Sequence, residues 1–260
     1  MRTRLVLTVL SAAALLAGSA PAIHASAAAP PPCGITDVGP REIVIGQGGL
    51  KSVRFEPVTT CPSPEDLNWY LTIRKGPQPW GFVLLANFWQ PPSSRFQSNA
   101  EGIAAVRAVN AYAGRNELHL QAFHGEETGV PGDYLNLSST VVLKRATTFE
   151  GHPDPRTLFD AQPENPVRGG TLTFTGRLAR VNWDAGELDP QYDPFAATVA
   201  LQFRPDGATA YRNVKLVKAA ADGTVTTTAP AQQSGTWRLR YLGDAVSGAS
   251  KSREDHVALP

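Results

Sequence analysis

The stretch VALQFRPDGATAYRNVKLV, residues 199–217, decides the fold. Val199, Leu201 and Phe203 alternate with Ala200, Gln202 and Arg204, the period of a strand with one buried face. Pro205-Asp206-Gly207 then turns the chain, and Asp-Gly suits a tight turn that needs positive φ. Beyond the turn, Val214 and Leu216 resume the alternation and are expected to point inward. Tyr211 lies three residues from Val214 and so out of phase, which predicts a bulge or a tyrosine capping the sheet edge. The regularity marks a fold. Function is expected in the irregular acidic loop that precedes it.

The same rhythm extends in both directions. In the second half, strands are expected at 171–178, 196–203, 211–217, 225–228, 237–242 and 256–259, with an edge strand near 158–161. In the first half they are expected at 42–45, 51–56, 69–74, 82–88, 104–112, 117–123 and 140–144. That spacing is the pattern of a β-sandwich. The alanine-rich run 100–113 favours helix by propensity, but Ile103, Ala105, Arg107, Val109 and Ala111 fall at period two and favour a strand. Residues 145–165 carry several prolines and no regular apolar period, the mark of an inter-domain linker running into a first strand. The expected fold class is all-β, with two immunoglobulin-like β-sandwich domains in tandem. The expected divisions are a leader at 1–27, an N-terminal sandwich at 28–146, a linker and first-strand region at 147–165, and a C-terminal sandwich at 166–260.

The second half resembles the bacterial immunoglobulin-like domains of secreted and cell-surface proteins. Pro166-Val167-Arg168-Gly169-Gly170 leads into Leu172-Thr173-Phe174-Thr175-Gly176-Arg177-Leu178. Val199 to Arg204 follows, then Asp222-Gly223-Thr224-Val225, then Gly235-Thr236-Trp237-Arg238-Leu239-Arg240-Tyr241-Leu242-Gly243-Asp244. The resemblance covers roughly residues 163–260 and implies a fold without an activity. The whole chain is similar to two-domain exported actinobacterial proteins. One departure is the insertion between Leu178 and Ala196, which is longer than a minimal sandwich needs.

The first residues read as an export signal. Arg2 and Arg4 precede an apolar run from Leu5 to Leu16, and Ala25-Ser26-Ala27 fits an A-x-A cleavage site. Removing the two arginines from 24 basic residues leaves 22 against 23 acids, a net charge of −1. A near-neutral chain gives no electrostatic case for nucleic acid or for a membrane surface. No later stretch has the length of a transmembrane helix, so no stable membrane insertion is expected after cleavage. The two cysteines, Cys33 and Cys61, read as one disulfide of an oxidising compartment.

Chemistry-bearing motifs are sparse. No G-x-S-x-G, H-E-x-x-H, P-loop or G-x-G-x-x-G pattern occurs. His119 and His124 differ by an odd number, so a flat strand sends them to opposite faces, with His119 and Gln121 away from Leu118, Leu120 and Ala122. Two constellations remain. Asp184, Glu187, Asp189 and Asp193, with Asn182, offer hard oxygen ligands suited to Ca²⁺, although their spacing departs from an EF-hand loop. A solvated acidic loop around a packed Trp183 is the plainer reading. Trp80 and Trp89 sit beside turns and could stack on sugar rings, or else anchor loops. Trp69 fits the core tryptophan of a sandwich, packed near the disulfide.

These observations point to a secreted, non-enzymatic binding or structural module, whose partner is an extracellular protein or polysaccharide. The alternatives are a secreted enzyme inhibitor and a Ca²⁺-stabilised envelope protein. No cofactor is expected, Ca²⁺ being the one candidate ion.

Overall fold

The structure is a computed structural model describing residues 33–61, 67–75, 82–88, 104–124, 134–149, 159–185 and 192–260. The leader at 1–27, Trp80, Trp89, Glu187 and Asp189 lie outside the described residues.

The first half forms β1 (Ile35–Gly39), β2 (Glu42–Ile45), β3 (Leu50–Val53), β4 (Glu56–Thr59), β5 (Leu67–Arg74), β6 (Phe82–Phe88), β7 (Ala104–Arg107), β8 (Gly114–His124) and β9 (Leu135–Arg145). Strands β2-β9-β8-β5-β6 build a five-stranded sheet, in which β2 runs parallel to β9 and the other pairs are antiparallel. Two antiparallel pairs, β1-β4 and β3-β7, complete this half. Alternation fixes the buried face: Trp69, Leu71 and Ile73 of β5 join Leu118, Leu120 and Ala122 of β8 in one core, with Ile35 and Val38 of β1 in the same cluster. Glu117 and Gln121 face water. Cys33 and Cys61 are joined by a disulfide beside this core.

The run at 104–112 is part strand and part turn. β7 ends at Arg107, and a 3-10 turn occupies Asn110–Tyr112. The alternation breaks because Asn110 is drawn into a hydrogen-bond network with the second half of the chain, described below.

The second half forms β10 (Thr147–Thr148), β11 (Asp160–Gln162), β12 (Thr171–Arg177), β13 (Ala179–Val181), β14 (Tyr192–Pro194), β15 (Thr198–Pro205), β16 (Arg212–Lys218), β17 (Thr224–Pro230), β18 (Gly235–Tyr241), β19 (Ser250–Lys251) and β20 (Asp255–Val257). An antiparallel sheet β11-β12-β17 faces a second one of order β16-β15-β18-β19, with β20 also paired to β18. Three strands against a larger sheet is the immunoglobulin-like sandwich arrangement. Leu172 and Phe174 of one layer meet Leu201, Phe203, Trp237 and Leu239 of the other in a second core. The Trp237 ring lies 4.6 Å from Phe174 and 4.4 Å from Phe203, centroid to centroid, in tilted geometry. Gly223 closes the turn before β17 at φ 81°, where an added Cβ would also run into the Leu178 carbonyl.

The hairpin at 199–217 corrects one sequence expectation. Leu201 pairs with Lys215 and Gln202 with Asn213, so Val214 is an extra residue in β16. This is the bulge that the phase of Tyr211 called for. It also shifts the alternation. Leu216 opposes the outward Ala200 and is 65% exposed, Val214 is 39% exposed, and Val217, opposite Val199, is the residue that packs on the core. Lys215 takes an inner position on this edge strand and donates from Nζ to the Thr228 carbonyl at 2.7 Å. Inward charge and a bulge both discourage pairing with another chain's edge.

A third small sheet, β10-β13-β14, stands between the two cores. It pairs Thr147–Thr148 with two strands from the ends of the long insertion between Leu178 and Ala196. Pro31–Pro260 forms one contact unit containing both cores.

Candidate functional site

Two polar regions qualify as candidate sites, and the acidic insertion is the first. Val181 and Trp183 leave β13 and enter the core of the first sandwich, where Trp183 is 4% exposed. Its indole N–H donates to the Ile45 carbonyl at 3.2 Å. Around it, Asn110 is bonded on three sides. Its Nδ2 donates to Asn182 Oδ1 at 2.6 Å, its Oδ1 accepts from the Trp183 N–H at 3.0 Å, and its own N–H donates to Asp184 Oδ1 at 3.0 Å. Arg145, 8% exposed, donates from Nε to the Val181 carbonyl at 2.6 Å and lies 3.5 Å from Asp193 Oδ2. Asn182 Nδ2 donates to Asp193 Oδ1 at 3.3 Å. Burial, reinforced by the neighbouring Arg180, lowers the Arg145 pKa, and Asp193 works against that shift.

Loop 244–250 closes the same junction. Asp244 Oδ1 accepts from the N–H groups of Val246 and Ser247 at 2.8 and 2.7 Å. Arg145 N–H donates to the Val246 carbonyl, and Gly248 N–H returns a bond to the Arg145 carbonyl. Gly248 is required by closeness: an added Cβ would stand 2.7 Å from Val44 Cγ1. Burial pushes the Tyr241 phenol up to about 12, with Asp244 beside it adding to the rise. Asp244 itself is raised by burial, but the hydrogen bonds from the Val246 and Ser247 N–H groups, with the Tyr241 phenol close by, outweigh that and hold it below the usual carboxylate value. Of the four acids singled out as Ca²⁺ ligands, Asp184 and Asp193 thus take part in fastening the two halves. Among the described residues no group of three or more His, Cys, Asp or Glu side chains is placed to hold a metal ion.

The second region is the outer face of the sheet β16-β15-β18-β19. Residues directly opposed in an antiparallel pair share a face. Ala200 opposes Arg240 and Leu216, and Arg240 opposes Lys251, which gives one row across four strands: Leu216, Ala200, Arg240, Lys251. In the next row, Gln202 lies between Asn213 and Arg238. The side chains of that row bond to one another. Gln202 donates to Asn213 Oδ1 at 2.8 Å and accepts from Arg238 Nε at 2.9 Å. Arg238 stacks on the Tyr211 ring at 3.6 Å from its centroid, with Arg204 at 5.0 Å. Glu254 lies 3.4 Å from each guanidinium. Tyr211 is therefore clasped by two arginines, and burial raises its phenol pKa.

Arg240 and Lys251 differ from these neighbours. Both are exposed, and among the described residues neither side chain has a hydrogen bond or ion pair. With Arg238, Ala249 and Ser250 they line a shallow groove of about 320 Å³. By register, Arg204, Lys218, Arg238, Arg240 and Lys251 all stand on this face, opposed there by the carboxylate of Glu254. At the far end, Asp206 pairs with His256 at 3.0 Å. Sequence reasoning passed over this face, although the alternation Arg238-Leu239-Arg240 places two guanidinium groups on one side of a strand.

Comparison with known proteins adds little. No family model matches the sequence, and no curated protein does. Among solved structures, the chain is similar to the D00-D0 domain of Intimin, at 10% identity and a TM-score of 0.27, covering 87% of this chain and 99% of that one. It is also similar to the three N-terminal domains of the bacteriophage RB49 highly immunogenic outer capsid protein Hoc, at 9% identity and a TM-score of 0.29, covering 88% of this chain and 71% of that one. Likeness at this level carries no argument, and the fold assignment rests on the sheets themselves. Among the described residues no helix is long and apolar enough to cross a membrane.

Proposed function

We propose that the protein is an exported, non-enzymatic binding module, in which two sandwiches fastened into one body present the outer face of the C-terminal sheet to a partner outside the cell. The observation that carries this reading is the Arg240–Lys251 pair. Two cations are held side by side on a strand pair with no internal partner, next to a row whose side chains bond to one another. A disulfide beside the first core suits an oxidising compartment, and the leader-like first residues agree with it. The junction supports the reading differently, since a rigid body holds a recognition face in place at low entropic cost.

The test is co-sedimentation of the purified chain with the envelope fraction of its host. Wild type is compared with Arg240→Glu/Lys251→Glu and with Arg115→Glu, a change on the exposed face of β8 in the other sandwich. The expected result is loss of binding in the double variant and retention in Arg115→Glu. Equal binding by all three sinks the assignment of the face.

A further inference from the structure

We infer that the partner of this face is an acidic polysaccharide, whose carboxylate or sulfate groups are taken by Arg240 and Lys251 in the groove beside Arg238. The inference rests on the proposed binding face and names the chemistry of what it binds.

Charge selects the class first. The whole chain is nearly balanced, with 24 basic and 23 acidic residues, yet this face carries Arg204, Lys218, Arg238, Arg240 and Lys251 against the carboxylates of Glu254 and, at its far end, Asp206. The excess is local and faces outward. Arg240 and Lys251 can accept an anion without breaking an existing pair, whereas Arg238 would first have to leave Glu254 and Gln202. Guanidinium forks favour planar carboxylate and tetrahedral sulfate groups. Opposed residues on neighbouring strands lie about 5 Å apart, so two cations on one row can grip one anionic group or two on adjacent sugars.

Shape narrows the class. The groove is open and shallow, which suits a polymer lying across strands better than a small molecule that needs enclosure. Single-stranded nucleic acid is held by bases stacking on free aromatic rings. On this face Tyr211 is the aromatic residue, and its ring is already covered by Arg238 and Arg204. A membrane surface would be met by several exposed apolar side chains around the cations. Here the row itself offers Leu216, and Leu242 is the exposed apolar residue next along the chain from the end of β18, two single side chains rather than a cluster. An acidic polysaccharide needs neither stacking rings nor apolar anchors.

The experiment measures binding of the full chain to four immobilised probes, dextran sulfate, polygalacturonate, unmodified dextran and oligodeoxythymidylate, with vesicles containing phosphatidylglycerol as a fifth. Binding to dextran sulfate or polygalacturonate is expected, with at least tenfold weaker binding to dextran and to the oligonucleotide. The preferred anion among the first two separates sulfate from carboxylate recognition. Arg240→Glu/Lys251→Glu should lose at least tenfold, and raising the salt several-fold should weaken wild-type binding steeply. Circular dichroism melting of the double variant checks that it is folded. Equal binding to dextran, tighter binding to the oligonucleotide or vesicles, or an unaffected double variant overturns the inference. If no polyanion binds but envelope binding still depends on Arg240 and Lys251, the polysaccharide chemistry falls and the binding face stands.

Discussion

The junction between the sandwiches and the outer face of the C-terminal sheet are both made of arginine, amide and carboxylate side chains, but they use them differently. At the junction the bonds run from one half to the other: Asn110 meets Asn182, Trp183 and Asp184, and Arg145 meets Val181 and Asp193. On the sheet, Gln202, Arg204 and Arg238 are bonded laterally, while Arg240 and Lys251 remain open to solvent. A dense polar cluster is therefore a poor guide to a binding site until its bonds are traced. In the acidic loop, which looks functional by composition, the described carboxylates of Asp184 and Asp193 bind groups of the junction. The unpaired charge stands on the strand pair β18-β19.

This contrast can be broken by substitution. Trp183→Ala should have the largest effect, a loss of about 3–5 kcal/mol in urea unfolding, because it empties a site in the first core with a residue from the second half. A loss below about 1 kcal/mol, no more than an average point substitution costs, would show that the insertion does not hold the two cores together. Replacing Cys33 and Cys61 with serine should cost about 3–4 kcal/mol for a 28-residue separation, with faster amide exchange in β1 and β4 than in β15 and β18. Uniform acceleration would mean that the two cores respond as one cooperative unit. Asn110→Ala should cost about 1–3 kcal/mol, since it strands Asn182 and the Trp183 amide.

Asp244 gives a pH-dependent test. Its folded pKa lies below the ordinary value of 3.8, so its contribution is present above that value and lost as pH falls through the lower folded one. Wild type should lose part of its stability on acidification below about pH 4, and Asp244→Asn should show a shallower slope there in acid unfolding monitored by fluorescence. Identical slopes would remove Asp244 from the junction's account. The smallest effect belongs to the open face. Arg240→Glu/Lys251→Glu should change unfolding free energy by no more than about 0.5 kcal/mol, as for surface positions without partners. A larger loss would mean that these side chains already serve the fold.

Much of this architecture was legible because local rules produced it. β2 and β6 coincide with their expected ranges, and the alternation of β8 correctly puts Leu118, Leu120 and Ala122 inside. The phase of Tyr211 announced a bulge, but its position at Val214, and hence the outward Leu216, depended on pairing with β15. Trp183 was legible as packed and illegible as to where. Its indole bonds to Ile45, 138 residues away, and no local period encodes so distant a contact. The excess length of the insertion was the available signal. The open pair was half visible: Arg238-Leu239-Arg240 gives two guanidinium groups on one face, but which is bonded and which is free depends on Glu254 and Lys251.

The Trp183 insertion has a mechanical consequence. A chain joined only through its linker would pass tension from one sandwich to the other along the backbone at 145–165. Here a second path runs in parallel, from β13 through the indole into the first core, and a third runs through the bonds between Arg145 and loop 244–250. Pulling on a ligand seated at β18 and β19 would load all three at once. Parting the sandwiches would then require the indole to leave the first core and the Arg145 bonds to break as well, so neither path yields by itself.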